Sequence, residues 1–314
     1  MQFNVFPHNS NFDFMRLRWV SAGLSILMLV VAFGAMATKG FNFALDFTGG
    51  TSVELRYERP ADVDAVRERL DAAGFGGAQV QTYGSGADLL VRLQPKPGQK
   101  ADSSETADDV VRVASTSGNP ATLMSSGYVG PQVGKELAQN GIYAMLFVII
   151  GFLAYISFRF EWKFAVAAII ATMHDVFVVS GWFAVSGHEF DLTVLAGVMG
   201  VMGFSINDTI VVFDRVRENF RGVRAPAREI LNASINQTLS RTVITSFVAF
   251  LTTLALYIYG GGSLEGMAES MMMGIIIGTM SSIFVACPLL MWLGVTKQDL
   301  MPKTRDDAEL ARRP

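Results

Sequence analysis

The sequence predicts an α-helical membrane protein with six transmembrane helices and one exported α/β domain between the first and second. Three observations carry that expectation. Six apolar runs approach the roughly 20 residues that a helix rising about 1.5 Å per residue needs to cross a bilayer. The stretch between the first two runs holds charge, proline and alternating patterns instead, and its length of about 100 residues suits one folded domain. Lysine and arginine, finally, gather at alternate ends of the runs, as the cytoplasmic excess of positive charge requires.

In chain order, residues 1–37 form the cytoplasmic N-terminus and first helix, whose apolar run is Trp19 to Ala37. Arg16, this run and Ala35-Met36-Ala37 also imitate a signal peptide with its cleavage site. The run is longer than the usual h-region of about 7–15 residues, and it serves equally well as an uncleaved helix, with the same topology either way.

Residues 38–139 form the exported domain. Asp46-Phe47-Thr48-Gly49-Gly50 has the composition of a tight turn, because paired glycines permit positive φ and close backbone approach. Thr51 to Tyr57 and Asp88 to Leu93 have strand character. Ala61 to Ala73 is a helical stretch punctuated by Gly74 to Gly77, and a second helix is expected from Glu105 to Ala114. Gln94 to Ser104 is a polar loop with two prolines. A small sheet with two helices follows. Val129-Gly130-Pro131-Gln132-Val133-Gly134 leads into the second helix and pairs with the Asp46 turn as a neck between domain and membrane. Gln79 to Tyr83 is one exposed segment that a substrate could touch, and nothing singles it out. The domain shows no catalytic nucleophile, metal cluster or phosphate loop, so grip or docking is expected of it rather than chemistry.

Residues 140–293 hold the remaining helices, with apolar runs Asn140 to Phe158, Phe164 to Val185, Leu192 to Phe213, Thr242 to Ile258 and Met267 to Leu293. Residues 294–314 form a cytoplasmic tail. Arg16 and Arg18, Arg159 and Lys163, the group Arg215, Arg217, Arg221, Arg224 and Arg228, and then Lys297, Lys303, Arg305, Arg312 and Arg313 mark one side. Ser186 to Asp191 and Tyr259 to Gly266 contain no lysine or arginine. Both termini are therefore expected in the cytoplasm and the large domain outside.

Within the helices, Asp175 and Asp208 lie where lipid penalises charge, by about 2.5–3.5 kcal/mol at mid-helix on insertion scales, so each is expected to face protein or water. Gly197, Val201, Phe204 and Asp208 share one helical stripe, Gly200, Gly203 and Asn207 the next, and both are expected on a packed face. Arg241 is expected to open the fifth helix at the cytoplasmic side, where it can meet Asp208; Thr245 and Thr252 extend its stripe. Gly274, Gly278 and Ser282 give the sixth helix a small-xxx-small ridge. Desolvation favours a protonated carboxyl, whereas a cation about 4 Å away opposes it by roughly 4 kcal/mol at an effective dielectric of 20. Movement of Arg241 relative to Asp208 would thus load or release a proton. A fixed ion pair that sets helix register is the competing role for Asp208. Asp175 has no evident cationic partner, which leaves transport and packing both open, and His174 points about 100° away from it on a helix.

Cys287 is the only cysteine, so an intramolecular disulfide or thiolate metal cluster is excluded. The net charge is −3, and the arginine group after the fourth helix reads as topology and headgroup contact rather than nucleic-acid binding. No nucleophile, base and oxyanion set is visible, so no enzyme, metal or cofactor is expected.

Several segments, in order, resemble the SecF branch of the SecD/SecF family, within the resistance-nodulation-division superfamily of proton-driven transporters. They are Leu45-Asp46-Phe47-Thr48-Gly49-Gly50, Val129-Gly130-Pro131, Arg159-Phe160-Glu161-Trp162-Lys163, His174-Asp175, Gly203 to Asn219 with Asn207-Asp208 at its centre, and Asn236-Gln237-Thr238-Leu239-Ser240-Arg241-Thr242. The resemblance implies a six-helix half of a twelve-helix unit in the bacterial inner membrane, completed by a separate SecD chain, with the SecYEG channel and accessory membrane proteins nearby. It implies proton transport through Asp208 and Arg241, helped by an aspartate of SecD, and an exported domain that holds or pulls an unfolded secretory protein. It makes Asp46, Gly49 and Gly50 a family signature with a structural role. A small-molecule or lipid exporter and a non-transporting scaffold are the other classes; a scaffold leaves Asp208 and Arg241 without purpose. Proton and sodium coupling are not distinguished by these residues.

Overall fold

The computed structural model describes residues 11–83, 86–93 and 103–300. Six helices are long and apolar enough to cross a membrane, with a small sheet domain between the first two. They are α1 (Arg18–Thr38), α5 (Pro131–Arg159), α6 (Trp162–Ser186), α7 (Leu192–Gly222), α8 (Ala227–Tyr259), and a sixth span built from α9 (Gly262–Ser281), a π-helical turn (Ser282–Ala286) and α10 (Cys287–Trp292).

These helices outrun the apolar stretches, because an apolar run measures hydrocarbon thickness, whereas the hydrogen-bonded helix continues as long as its residues are good helix formers. Arg215, Arg217 and Arg221 therefore ride on α7 and Arg228 on α8, which corrects the expectation that the whole group follows the fourth helix; Arg224 alone of that group lies in the connection. Ion pairs lace this end: Arg159 with Asp214 at 2.8 Å, Arg217 with Glu161 at 3.0 Å, Lys163 with Asp299 at 2.7 Å, and Arg228 with Asp13. Lys303, Arg305, Arg312 and Arg313 lie outside the described residues, as does most of the Gln94 to Ser104 loop.

The bundle has a centre and a rim. In the hydrophobic windows of α6, α7 and the sixth span, 61%, 56% and 61% of residues are buried, against 11%, 11% and 17% for α1, α5 and α8. Glycine sets the closest approach. A Cβ on Gly274 would lie 1.9 Å from Val201 Cγ2, one on Gly197 1.9 Å from Ser270 Oγ, and one on Gly278 3.1 Å from Ser205 Cβ. The small-residue ridge of the sixth span thus lies directly against α7.

The α/β domain has a four-stranded antiparallel sheet in the order β3 (Gln79–Tyr83), β4 (Asp88–Leu93), β2 (Gly50–Tyr57), β5 (Ala121–Val129). Val53, Leu55, Leu89 and Val91 pack with Val66 and Leu70 of α3 (Val63–Ala72) and Val110 of α4 (Ser103–Ala114). Sequence reasoning anticipated β2, β4 and both helices. It missed β3 and β5, which carry Gln-Val-Gln-Thr and Ser-Ser-Gly segments of weak strand character and hold their register by pairing at the sheet's edges.

Strand β2 leaves the Asp46 turn and β5 enters α5, and the two are partners from Gly50↔Val129 to Tyr57↔Ala121. A short helix α2 (Leu45–Thr48) closes the turn against α5, where a Cβ on Gly134 would lie 3.0 Å from the Gly49 nitrogen. Gly50 has φ 132°, and a Cβ there would sit 2.3 Å from the Leu93 carbonyl oxygen, so this position requires glycine. Beside the turn, β1 (Asn42–Phe43) pairs in parallel with β6 (Glu189–Phe190), the link between α6 and α7.

Candidate functional site

Asp208 is 2% exposed and sits near the middle of α7, because the helix continues nine residues past its expected end at Phe213. Ser246 Oγ of α8 donates to Asp208 Oδ2 at 3.4 Å, and Thr279 Oγ1 of α9 donates to Ser246 Oγ at 2.7 Å. Each hydroxyl has a single proton to give, so Ser246 shares it between Asp208 and the Thr242 carbonyl at 2.7 Å, and Thr279 between Ser246 and the Ile275 carbonyl at 2.6 Å. The carboxylate is therefore met by a chain of two hydroxyls, one from α8 and one from α9, with no lysine or arginine ion-paired to it among the described residues.

Arg241 does not open α8; the helix begins at Ala227, and Arg241 lies inside it. Asp208 stands fourteen residues before Gly222, the last residue of α7, and Arg241 fourteen after Ala227, the first of α8. The two are thus at similar depth, and the Arg241 charge acts on Asp208 across the helix pair. They form no ion pair: Thr242 and Ser246 of α8 face the bundle, while Arg241 is exposed on the side that this chain leaves uncovered.

Asn207 is exposed as well, beside exposed Gly200. The expectation of a packed face holds for Gly197, Val201 and Asp208, and needs correction for Gly200 and Asn207, which open toward the rim. The 100° step between adjacent helical residues explains the split: one side chain turns inward and the next outward.

Asp175 of α6 is fully buried at the centre. Its Oδ2 accepts from Ser205 Oγ of α7 at 2.5 Å and Ser281 Oγ of α9 at 2.6 Å, and its Oδ1 lies 2.9 Å from His174 Nδ1. The contact with His174 corrects the expectation that the two diverge; side-chain rotation closes the angular gap between their Cα atoms. Nothing in the sequence singled out Ser205, Ser246, Thr279 or Ser281. Their signal is a hydroxyl on a buried stripe of a neighbouring spanning helix.

Asp46 acts at the neck. Its Oδ2 accepts from the Leu192 amide at 3.3 Å, and Asp191 Oδ1 accepts from the Val194 amide at 2.6 Å and Thr193 Oγ1 at 2.8 Å. Both carboxylates thus cap α7, the helix that carries Asp208, at the end where its free amides and dipole favour negative charge. Gly49 and Gly50 supply the positive φ that lets the chain turn from α2 into β2. No cluster of three metal-ligating side chains occurs among the described residues.

Residues 110–296 match the family described as "Protein export membrane protein SecD/SecF, C-terminal", and residues 34–61 match the "SecD/SecF GG Motif". The chain is 46% identical over 300 residues to the protein translocase subunit SecF of Pseudomonas aeruginosa, covering 94% of this chain and 95% of that one. It is 37% identical to the protein translocase subunit SecDF of Brucella abortus, covering 98% of this chain and 40% of that longer one. The crystal structure of SecDF from Thermus thermophilus, described as a translocon-associated membrane protein, superposes with TM-score 0.82 at 39% identity, covering 92% of this chain and 39% of that chain. A SecDF crystal structure in a super-membrane-facing form superposes with TM-score 0.65 at 37% identity, covering 96% of this chain and 40% of that chain.

Proposed function

Because the chain belongs to the SecD/SecF family of protein-export membrane proteins, we propose that it is an accessory subunit of the Sec export machinery. With a SecD partner it uses the proton-motive force to assist the translocation of unfolded secretory proteins across the inner membrane. The observation that carries this reading is the pairing of a buried carboxylate, Asp208, held only by hydroxyls, with an arginine at similar depth that faces an uncovered side of the bundle.

That arrangement suits a gate between two protonation states. Approach of Arg241 favours the carboxylate, and its withdrawal into a partner's contacts favours the acid. A proton crossing the membrane potential contributes about 2.3 kcal/mol per 100 mV, which is enough to bias a conformational equilibrium roughly 50-fold. Asn207, on the open side, is a polar neighbour for the partner's half of the path. Asp175 is saturated by Ser205, Ser281 and His174, and its part in the path is to hold α6, α7 and α9 in register around Asp208.

The orientation follows from the charge asymmetry: both termini cytoplasmic, the α/β domain in the periplasm, where it meets the emerging chain near the SecYEG channel. The rim helices α1, α5 and α8, which bury little of themselves, supply the faces for SecD, for accessory membrane proteins and for the lipid bilayer.

The test is a pulse-chase of secretory-protein export in cells lacking their own copy, comparing wild type, Asp208→Asn and a membrane-insertion control, with abundance and SecD association checked alongside. Export slowed to the deletion level, with insertion and SecD binding intact, supports ion-coupled drive through Asp208. Normal export makes Asp208 a packing residue and the subunit a scaffold.

A further inference from the structure

A charged cluster lies at the seam between the α/β domain and the bundle, away from Asp208. Arg92 of β4 is 5% exposed. Its Nη2 is ion-paired with Glu189 of β6, and Gln81 Nε2 of β3 donates to Glu189 Oε2 at 3.4 Å. Asp46 and Asp191, which cap α7, are near enough for their charges to act on Arg92. One carboxylate thus pairs with the guanidinium, and two more act on it by charge. Nη1 of Arg92 makes no hydrogen bond among the described residues, so the guanidinium is held by charge rather than by a saturated fork. Burial outweighs the two aspartates and pushes the Arg92 pKa down to about 10, so the cation is present at neutral pH but at a desolvation cost.

The cluster lies beside the other polar ties between domain and bundle, the β1–β6 pairing and the Asp46 cap of α7, and is the point at which strands β3 and β4 of the sheet reach Glu189. Gln81 and Arg92 belong to the sheet, which packs on its own core; Glu189 and Asp191 lead into α7, the helix that carries Asp208. A buried ion pair costs desolvation on both sides and regains it only while both partners are together, so it favours one relative position of the two bodies and gives little to stability.

We propose that Arg92 is a positioning residue, a latch that ties the α/β domain to the N-terminal end of α7 and must open and close during each export cycle. The proposal rests on the export function above and deepens it, by naming where proton-linked movement of α7 reaches the domain that meets the substrate. Movement of α7 shifts Asp191 and Glu189 against Arg92; the domain follows or is released.

The experiment is a reversible tether across the seam. Gln81→Cys and Glu189→Cys are combined in the full chain with SecD, and membranes are treated with a short, reducible bis-methanethiosulfonate reagent. The same double variant before treatment is the baseline; it lacks Glu189, so it is expected to export below wild type but above its own tethered form, and each single cysteine variant with the reagent is the control; Cys287 is buried and stays out of reach. The latch predicts that tethering slows export to the level of Asp208→Asn and that reduction restores the baseline. Full export with the tether in place overturns it, because a static seam is indifferent to a tether, and failure of the pair to react overturns the geometry itself. If Asp208→Asn exports normally, it is the export-drive reading that fails; if Asp208→Asn is defective while the tethered chain exports fully, the latch alone fails. Arg92→Lys and Arg92→Met give a second readout. Lysine keeps the charge but not the fork, and the latch predicts a smaller export defect for it than for methionine at equal protein abundance; equal defects overturn the role of the charge.

Discussion

Substitution of Gly274 by alanine adds one methyl at the tightest contact between α7 and the sixth span. That methyl would lie 1.9 Å from Cγ2, 2.5 Å from Cγ1 and 2.7 Å from Cβ of Val201. Ordinary carbon contacts are about 3.5–4.0 Å, so the gap is short by roughly 1.5–2 Å at Cγ2. A new Val201 rotamer removes only part of the overlap, since the Cβ itself is too close. The backbones must therefore separate, and overpacking of this kind costs about 1–3 kcal/mol. The separation also moves apart Ser205 of α7 and Ser281 of α9, which reach Asp175 of α6 from the two sides of that contact. The assay is the thermal midpoint of the purified complex, with Gly151→Ala as the comparison: that glycine has nothing within 4 Å of an added Cβ. We expect Gly274→Ala to unfold at a lower temperature than wild type, Gly151→Ala to match or exceed it because alanine is the better helix former, and Val201→Ala to restore part of the loss in the double variant. A Gly274→Ala chain as stable as Gly151→Ala would refute the packing argument.

Three further outcomes follow from the same contacts. Gly50→Ala, with its φ of 132° and an added Cβ 2.3 Å from the Leu93 oxygen, should destabilise the α/β domain by about 2 kcal/mol or more, seen as faster proteolysis of that domain in intact membranes. Ser205→Ala with Ser281→Ala leaves Asp175 with His174 alone; losing two hydrogen bonds to a charged group should cost about 1.5–3 kcal/mol each, and an unchanged thermal midpoint would show that Asp175 does not organise the centre. At the N-terminus, the Asn232 amide and Arg228 hold the Asp13 carboxyl below the usual carboxylate range. A depressed pKa stabilises the docked segment above that range and loses the effect as pH falls through the lowered value, so amide exchange at Met15 and Arg16 should rise only on strong acidification.

The sequence made the bundle legible because hydrocarbon thickness imposes a length on every apolar run, and it made Asp208 legible because a carboxylate inside such a run is expensive. It was silent on Ser246, Thr279, Ser205 and Ser281, since a hydroxyl in a helix costs little and shows its role only when a neighbouring helix brings it to a carboxylate. Arg241 was expected to meet Asp208 because the two lie at the same level; they do, but Arg241 faces away from the bundle while Thr242 and Ser246 face into it. The exposure of Arg241 and Asn207 depends on which faces a single chain can cover, and no local pattern encodes that. Arg92 was hidden for a different reason. Its strand is buried almost throughout, from Asp88 to Leu93, so the alternation that normally separates core from surface is missing.

The claim that most needs a direct test is that Asp208 carries the coupling ion. The measurement is proton influx into vesicles holding the reconstituted complex with SecD, followed by an internal pH dye under an imposed membrane potential, for wild type and Asp208→Asn at matched protein content. The account predicts proton entry for wild type and entry at the level of protein-free vesicles for Asp208→Asn. Equal influx in both would contradict it, and sodium-dependent influx in place of proton entry would assign the site to a different ion.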